Sequence, residues 1–193
     1  MLEQIVDSRK FYSLEELKNM GYSQYKINQL AGSGKLEKIN KKAYENLEFS
    51  GDDSDFYYAY AYVPDGVICL MSAAVYYNLT TFRLDAIDVA IPRKARVSTL
   101  PEWPSIRIHY YTDSRFEKGM QIIDNDGNKF KIYDIEKTVC DIVYYREEVG
   151  IEETKEILNN YLDSSTKNLN KLIRYADELK CGEILKTYLQ VLV

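Results

Sequence analysis

The sequence predicts an α+β chain of two unequal parts: a small helical module, then a mixed, partly antiparallel sheet packed with helices and ending in a helical C-terminus. Three observations carry this reading. Helix start and stop signals crowd the first 49 residues, period-two alternation around an Asp-Gly turn marks the middle, and helical periodicity takes over from Glu136 onward. At 193 residues the chain suits one compact domain plus a small module. Hydrophobic residues at 46% and charged residues at 28% supply a core and argue against disorder.

The first module opens with an expected short helix around Leu2 to Asp7. Ser13 and Glu16 then form a capping-box pair, and Leu14, Leu17 and Met20 follow at helical spacing up to Gly21. Ser23 caps the next helix, whose inward face is Ile27, Leu30 and Ala31. Residues 36–39 and 42–44 read as two short strands around a two-residue turn at Asn40-Lys41. Helix, turn, helix and hairpin together spell a winged helix-turn-helix over residues 1–49. The polar stretch 50–55 reads as a linker, and 56–193 as the second domain.

In that second part, Phe56 to Tyr62 is a helix or an extended aromatic stretch, and Ser72 is expected to cap a helix over 73–79. Residues 86–91 alternate Ile87, Val89 and Ile91 inward against Asp88, and residues 106–110 repeat the pattern. The segments 120–123 and 129–133 flank Asn125-Asp126-Gly127-Asn128, a strong hairpin signal. Apolar stripes through Val139, Cys140 and Val143, then Ile157, Leu158 and Tyr161, then Leu169, Leu172 and Ala176, and finally Leu185 and Leu189 predict four helices.

The net charge is −5, so any affinity for nucleic acid must come from a local patch. Between Lys18 and Tyr44 stand six lysines against one acid, Glu37, whereas the remainder of the chain is acidic. Clustered cations on a helix-turn-helix suit phosphate neutralisation, against the alternative of a solvated lysine face. If the helix after Ser23 reads DNA, Gln24, Tyr25, Asn28 and Gln29 are available for base edges, while Ser23, Lys26, Lys38, Lys41 and Lys42 suit phosphates or the minor groove.

Catalytic signals are sparse. His109, the single histidine, sits in an alternating strand as a packed or surface residue, and Asp134, Glu136 and Asp141 are explained by helix-terminal charge as well as by paired-carboxylate chemistry. No phosphate loop or nucleophile elbow occurs, and neither a cofactor nor a metal site is expected. Cys69, Cys140 and Cys181 are far apart and odd in number, which fits reduced cytoplasmic thiols. No apolar run approaches a membrane span and no leader is read at the N-terminus, so a cytoplasmic protein without membrane contact is expected.

Three segments resemble the AbiEi-type antitoxins of bacterial abortive-infection, or type IV toxin-antitoxin, systems. The first is Gly34 to Ile39 with Lys42-Ala43-Tyr44, although the family's usual wing glycine is missing here. The second is Leu70 to Leu79, and the third Tyr133 to Ile142, whose Lys137-Thr138-x-x-Asp141 matches an R/K-T-x-x-D core. The terminal helices, with Asn168 to Leu172 and Tyr175-Ala176, are similar as well. The resemblance implies a protein that binds inverted DNA repeats upstream of its own operon, represses it, and counteracts a nucleotidyltransferase-like toxin without a stable complex. Lys137, Thr138 and Asp141 are then either part of antitoxin action or a helix start that fixes strand-helix packing through hydrogen bonds. The rival reading is a ligand-responsive winged-helix regulator, which needs an apolar pocket with convergent polar groups.

Overall fold

A computed structural model describes residues 9–51, 53–97 and 99–192, with backbone alone for 191 and 192. The expected helix over Leu2 to Asp7 lies outside the described residues. The chain is α+β with mixed sheets.

The first module contains β1 (Phe11–Ser13), α1 (Leu14–Asn19), α2 (Gln24–Gly32), β2 (Leu36–Lys38) and β3 (Ala43–Asn46). The Ser13–Glu16 capping box forms in both directions, and Gly21 takes the positive φ of +91° that ends the helical path. Ser23 Oγ accepts the Lys26 amide and starts α2. Tyr12, Leu17, Ile27, Leu30, Leu36 and Tyr44 close a small core of their own.

Two expectations change here. β1 adds a third strand, giving the antiparallel order β1-β3-β2; with three residues it is too short to show alternation, and its pairing partner lies about thirty residues away. The β2–β3 connection is four residues, 39–42, rather than two. Asn40 causes this, because its side-chain oxygen accepts the amides of Lys42 and Ala43 at 2.8 and 2.9 Å and builds a local turn in place of a tight hairpin.

The second part holds α3 (Asp55–Tyr62), β4 (Val67–Ile68), α4 (Leu70–Tyr76), β5 (Ile87–Pro92), β6 (Ile106–Tyr111), α5 (Asp113–Phe116), β7 (Met120–Asn125) and β8 (Asn128–Tyr133). It continues through α6 (Ile135–Tyr144), α7 (Arg146–Val149), α8 (Ile151–Asp163), α9 (Leu169–Glu178) and α10 (Gly182–Leu192). Its strands order as β6-β5-β4-β8-β7. The pairs β5–β6 and β4–β8 are parallel, and β4–β5 and β7–β8 antiparallel. Asp126 and Gly127 both have positive φ, the type I′ geometry that the right-handed strand twist favours.

One face of the sheet packs Ile87, Val89, Ile91, Phe130 and Ile132 against Tyr57 and Ala59 of α3. The other side carries the larger core, in which Val139, Ile142 and Val143 of α6 meet α8, α9 and α10. Because both faces of β5 are covered, Asp88 does not point to water as its alternation suggests; it is buried, with its carboxylate 2.9 Å from His109 Nε2 and 3.3 Å from Arg107. Ser72 is likewise not a cap. α4 begins two residues earlier, at Leu70, and Ser72 Oγ accepts the Asp88 amide at 2.8 Å. Cys69, Cys140 and Cys181 are all free and buried.

Several polar contacts join the first module to the rest. The buried Lys10 amide donates to Asn128 Oδ1 at 2.6 Å, and its ammonium bonds Asp53 at 2.5 Å within the segment read as a linker. Tyr58 of α3 donates to Glu45 at 2.8 Å.

Candidate nucleic-acid interface and buried charge cluster

The side chains singled out on α2 fall on its solvent side. Ile27 and Leu30 are buried, which leaves Ser23, Gln24, Asn28 and Gln29 exposed, Lys26 half-buried, and Tyr25 at 77% exposure. Gln24 Nε2 donates to Asn28 Oδ1 at 3.1 Å, so these two amides are oriented together. No acid occupies the first turn of α2, so the positive end of its dipole is not offset by a carboxylate there. Such a face can offer amide donors and acceptors to base edges and an aromatic ring to a sugar or base.

The same module carries exposed lysines. Lys38 is on β2, an edge strand, and Lys41 and Lys42 are in the connection to β3; all three are exposed. Lys18, Lys41 and Lys42 line a depression of about 390 Å³ with Ser13, Leu14 and Glu15, held together by the Leu14 amide bonding the Lys42 carbonyl at 2.8 Å. Lys35 pairs with Glu48 at 2.8 Å. Among the described residues, Lys18, Lys26, Lys38, Lys41 and Lys42 make no ion pair. Five cations concentrated without carboxylate partners repel one another and favour a polyanion.

The second constellation is buried. Asp134 caps α6 by accepting the Lys137 amide at 2.9 Å, and Thr138 Oγ1 donates to the Asp134 carbonyl at 2.9 Å, tying the end of β8 to the start of the helix. The i,i+4 spacing places Lys137 Nζ against Asp141 Oδ2, both fully buried. Arg115, from α5, donates to the other oxygen of Asp141 at 2.6 Å and to the Leu179 carbonyl at 2.6 Å. Aromatic faces complete the cage: Tyr133 lies 4.0 Å and Tyr111 4.9 Å from Lys137 Nζ, and Tyr144 lies 3.8 Å from the Arg115 guanidinium.

Burial pushes the Lys137 pKa below the ordinary lysine value, outweighing the opposing pull of Asp141. For Arg115 burial also acts downward, but Asp141 outweighs it and the pKa is raised. Among the described residues, the buried Tyr111 hydroxyl finds no hydrogen-bond partner. The cluster is closed to solvent and joins β6, α5, β8, α6 and the residues before α10, so it can orient these elements.

Asp134, Glu136 and Asp141 do not converge on one point. Asp134 and Glu136 share Lys171, at 3.2 and 2.9 Å, and Glu136 also accepts from Tyr161 at 3.2 Å, whereas Asp141 faces Lys137 and Arg115. Among the described residues no group of three His, Cys, Asp or Glu side chains is placed to hold a metal ion. The roles of Arg115 and Lys171 were not anticipated, because each meets its partner across more than twenty residues of chain.

A further concavity, about 680 Å³, is an apolar groove walled by Leu162, Leu172, Ile173, Ala176, Leu185 and Leu189. Its polar members Asp177, Glu183, Lys186 and Gln190 are exposed, so no buried polar group is aimed into it. Among the described residues no helix is long and apolar enough to cross a membrane. No protein-family model matches the chain, and no curated protein is significantly similar to it.

Proposed function

We propose that this chain is a sequence-specific DNA-binding antitoxin of the type IV, abortive-infection kind, acting in the cytoplasm. A winged helix-turn-helix over residues 1–49 represses its own operon from inverted repeats, and the second domain, residues 56–193, counteracts a nucleotidyltransferase-like toxin. The observation that carries the DNA-binding half is the exposed polar face of α2 beside lysines that make no ion pair among the described residues. In this reading α2 enters the major groove with Gln24, Tyr25, Asn28 and Gln29 toward base edges. Ser23, Lys26, Lys38, Lys41 and Lys42 hold phosphates on either side. The antitoxin half rests on the resemblance of Leu70 to Leu79 and Tyr133 to Ile142, with Lys137, Thr138 and Asp141 maintaining the scaffold that antitoxin action needs.

Gel shifts with the DNA upstream of the gene test the first half. Asn28→Ala or Gln29→Ala is expected to weaken binding to the specific repeat by about 1–3 kcal/mol while leaving random duplex nearly unaffected. An equal loss on both DNAs would contradict base readout. Co-expression with the neighbouring gene, scored as growth rescue, tests the second half: absence of rescue by a folded, abundant protein would remove the antitoxin assignment.

A further inference from the structure

We infer that the DNA-contacting surface continues beyond the first module onto the connection between β5 and β6, where Arg93, Lys94 and Arg96 take phosphates flanking the segment read by α2. The inference rests on the DNA-binding reading above. Parallel neighbours such as β5 and β6 require a crossover, usually a helix. Here residues 93–105 contain no helix among the described residues.

The connection is nevertheless anchored. The Arg93 amide bonds the Tyr111 carbonyl and the Ala95 amide the Pro92 carbonyl, each at 2.8 Å, and Ala95 and Val97 pack on the core beneath α3. Trp103 meets Tyr58 edge-on at 6.0 Å. Between these anchors Arg93, Lys94 and Arg96 are exposed and, among the described residues, make no ion pair. The sequence supplies no acid between Asp88 and Glu102, so three positive charges stand there uncompensated in a chain of net charge −5.

Position decides what they are for. Thr99 of the same connection lines a cleft of about 440 Å³ together with Lys41 and Lys42, Tyr62 and Pro64. Two residues of chain, 97 and 98, separate Arg96 from Thr99, a reach of at most ~11 Å. That shared cleft sets the connection carrying the three cations against the Lys41–Lys42 corner, so the two basic segments are neighbours across the join to the second part. A duplex approaching α2 and that corner meets both sets, and a regularly charged polyanion is the partner whose geometry matches cations spread along a surface.

The test uses the full chain. Arg93→Ala/Lys94→Ala/Arg96→Ala is compared with wild type on the upstream DNA and on random duplex, across a range of salt. Each lost phosphate contact reduces the log-log salt slope by about 0.9, so a decrease of about 1–3 is expected, with affinity falling similarly on both DNAs. The variant Arg93→Lys/Arg96→Lys should keep the wild-type slope, and an unchanged melting temperature checks that the fold survives. A full wild-type slope in the folded triple-alanine variant, alongside a reduced slope for Lys41→Ala/Lys42→Ala, overturns this inference and leaves DNA binding standing. If wild type binds neither duplex, the DNA-binding reading falls and the inference with it.

Discussion

Asp141→Ala should cost about 3–5 kcal/mol of stability, read as a shift in the midpoint of urea unfolding. Lys137 and Arg115 share this one fully buried carboxylate, so its removal leaves two cations in a closed aromatic cage without a counter-charge, and breaking a buried ion pair is far more damaging than lacking it. The double variant Lys137→Met/Asp141→Ala should recover part of the loss, because the ammonium no longer has to be buried unpaired. Recovery stays partial because Arg115 keeps its place through the Leu179 carbonyl.

The effect has a pH signature. Burial already holds the Lys137 pKa below its ordinary value of 10.5, and loss of Asp141 lowers it further. Between that depressed value and 10.5 the unfolded state binds the extra proton, so the stability of Asp141→Ala should rise as pH increases through this window. A loss below about 1 kcal/mol at neutral pH would show that the cage does not depend on its carboxylate.

The second large effect is on DNA affinity. Lys26→Ala/Lys41→Ala/Lys42→Ala removes three cations that make no ion pair among the described residues. At about 0.9 in slope per contact, three phosphates amount to roughly a hundredfold in affinity near physiological salt. Stability should change little, because Lys41 and Lys42 are exposed and Lys26 is only half-buried. If the two activities reside in separate modules, this variant should still rescue toxin-expressing cells when supplied from an unrelated promoter. A stable, folded variant that loses rescue would show that antitoxin action needs DNA binding or the same surface, and the modular reading would be wrong.

How much was legible in the sequence follows from how local each cause is. The Ser13 capping box, the Ser23 cap and the Asp126-Gly127 turn are set by residues within four positions of each other, and the structure has all three. Of the five helices described after β8, α6, α8, α9 and α10 were readable because each carries its own apolar stripe, whereas the four-residue α7 buries nothing and was not. By contrast, β1 exists only because β3 pairs with it, Asp88 is buried because elements distant in sequence cover that face of β5, and α4 starts at Leu70 while Ser72 serves β5. In the same way Lys137 and Asp141 stood out only through the Lys-Thr-x-x-Asp resemblance, while their pairing, and Arg115, the partner that makes the cluster a junction of five segments, were not visible. Arg93, Lys94 and Arg96 were passed over in the sequence, because nothing local says where the β5–β6 connection carries them.

The three thiols turn the core into its own reporter. Cys69 follows β4, Cys140 sits within α6 and Cys181 joins α9 to α10, and each is buried in the same larger core. A thiolate must form and meet reagent before an alkylating agent can react, so in the native protein each site waits for the structure around it to open. If α9 and α10 detach in smaller, more frequent excursions than the sheet, Cys181 will be modified first and Cys69 last. Identical rates at all three would instead mean that the second part opens only as a whole, making alkylation a direct clock for its global unfolding.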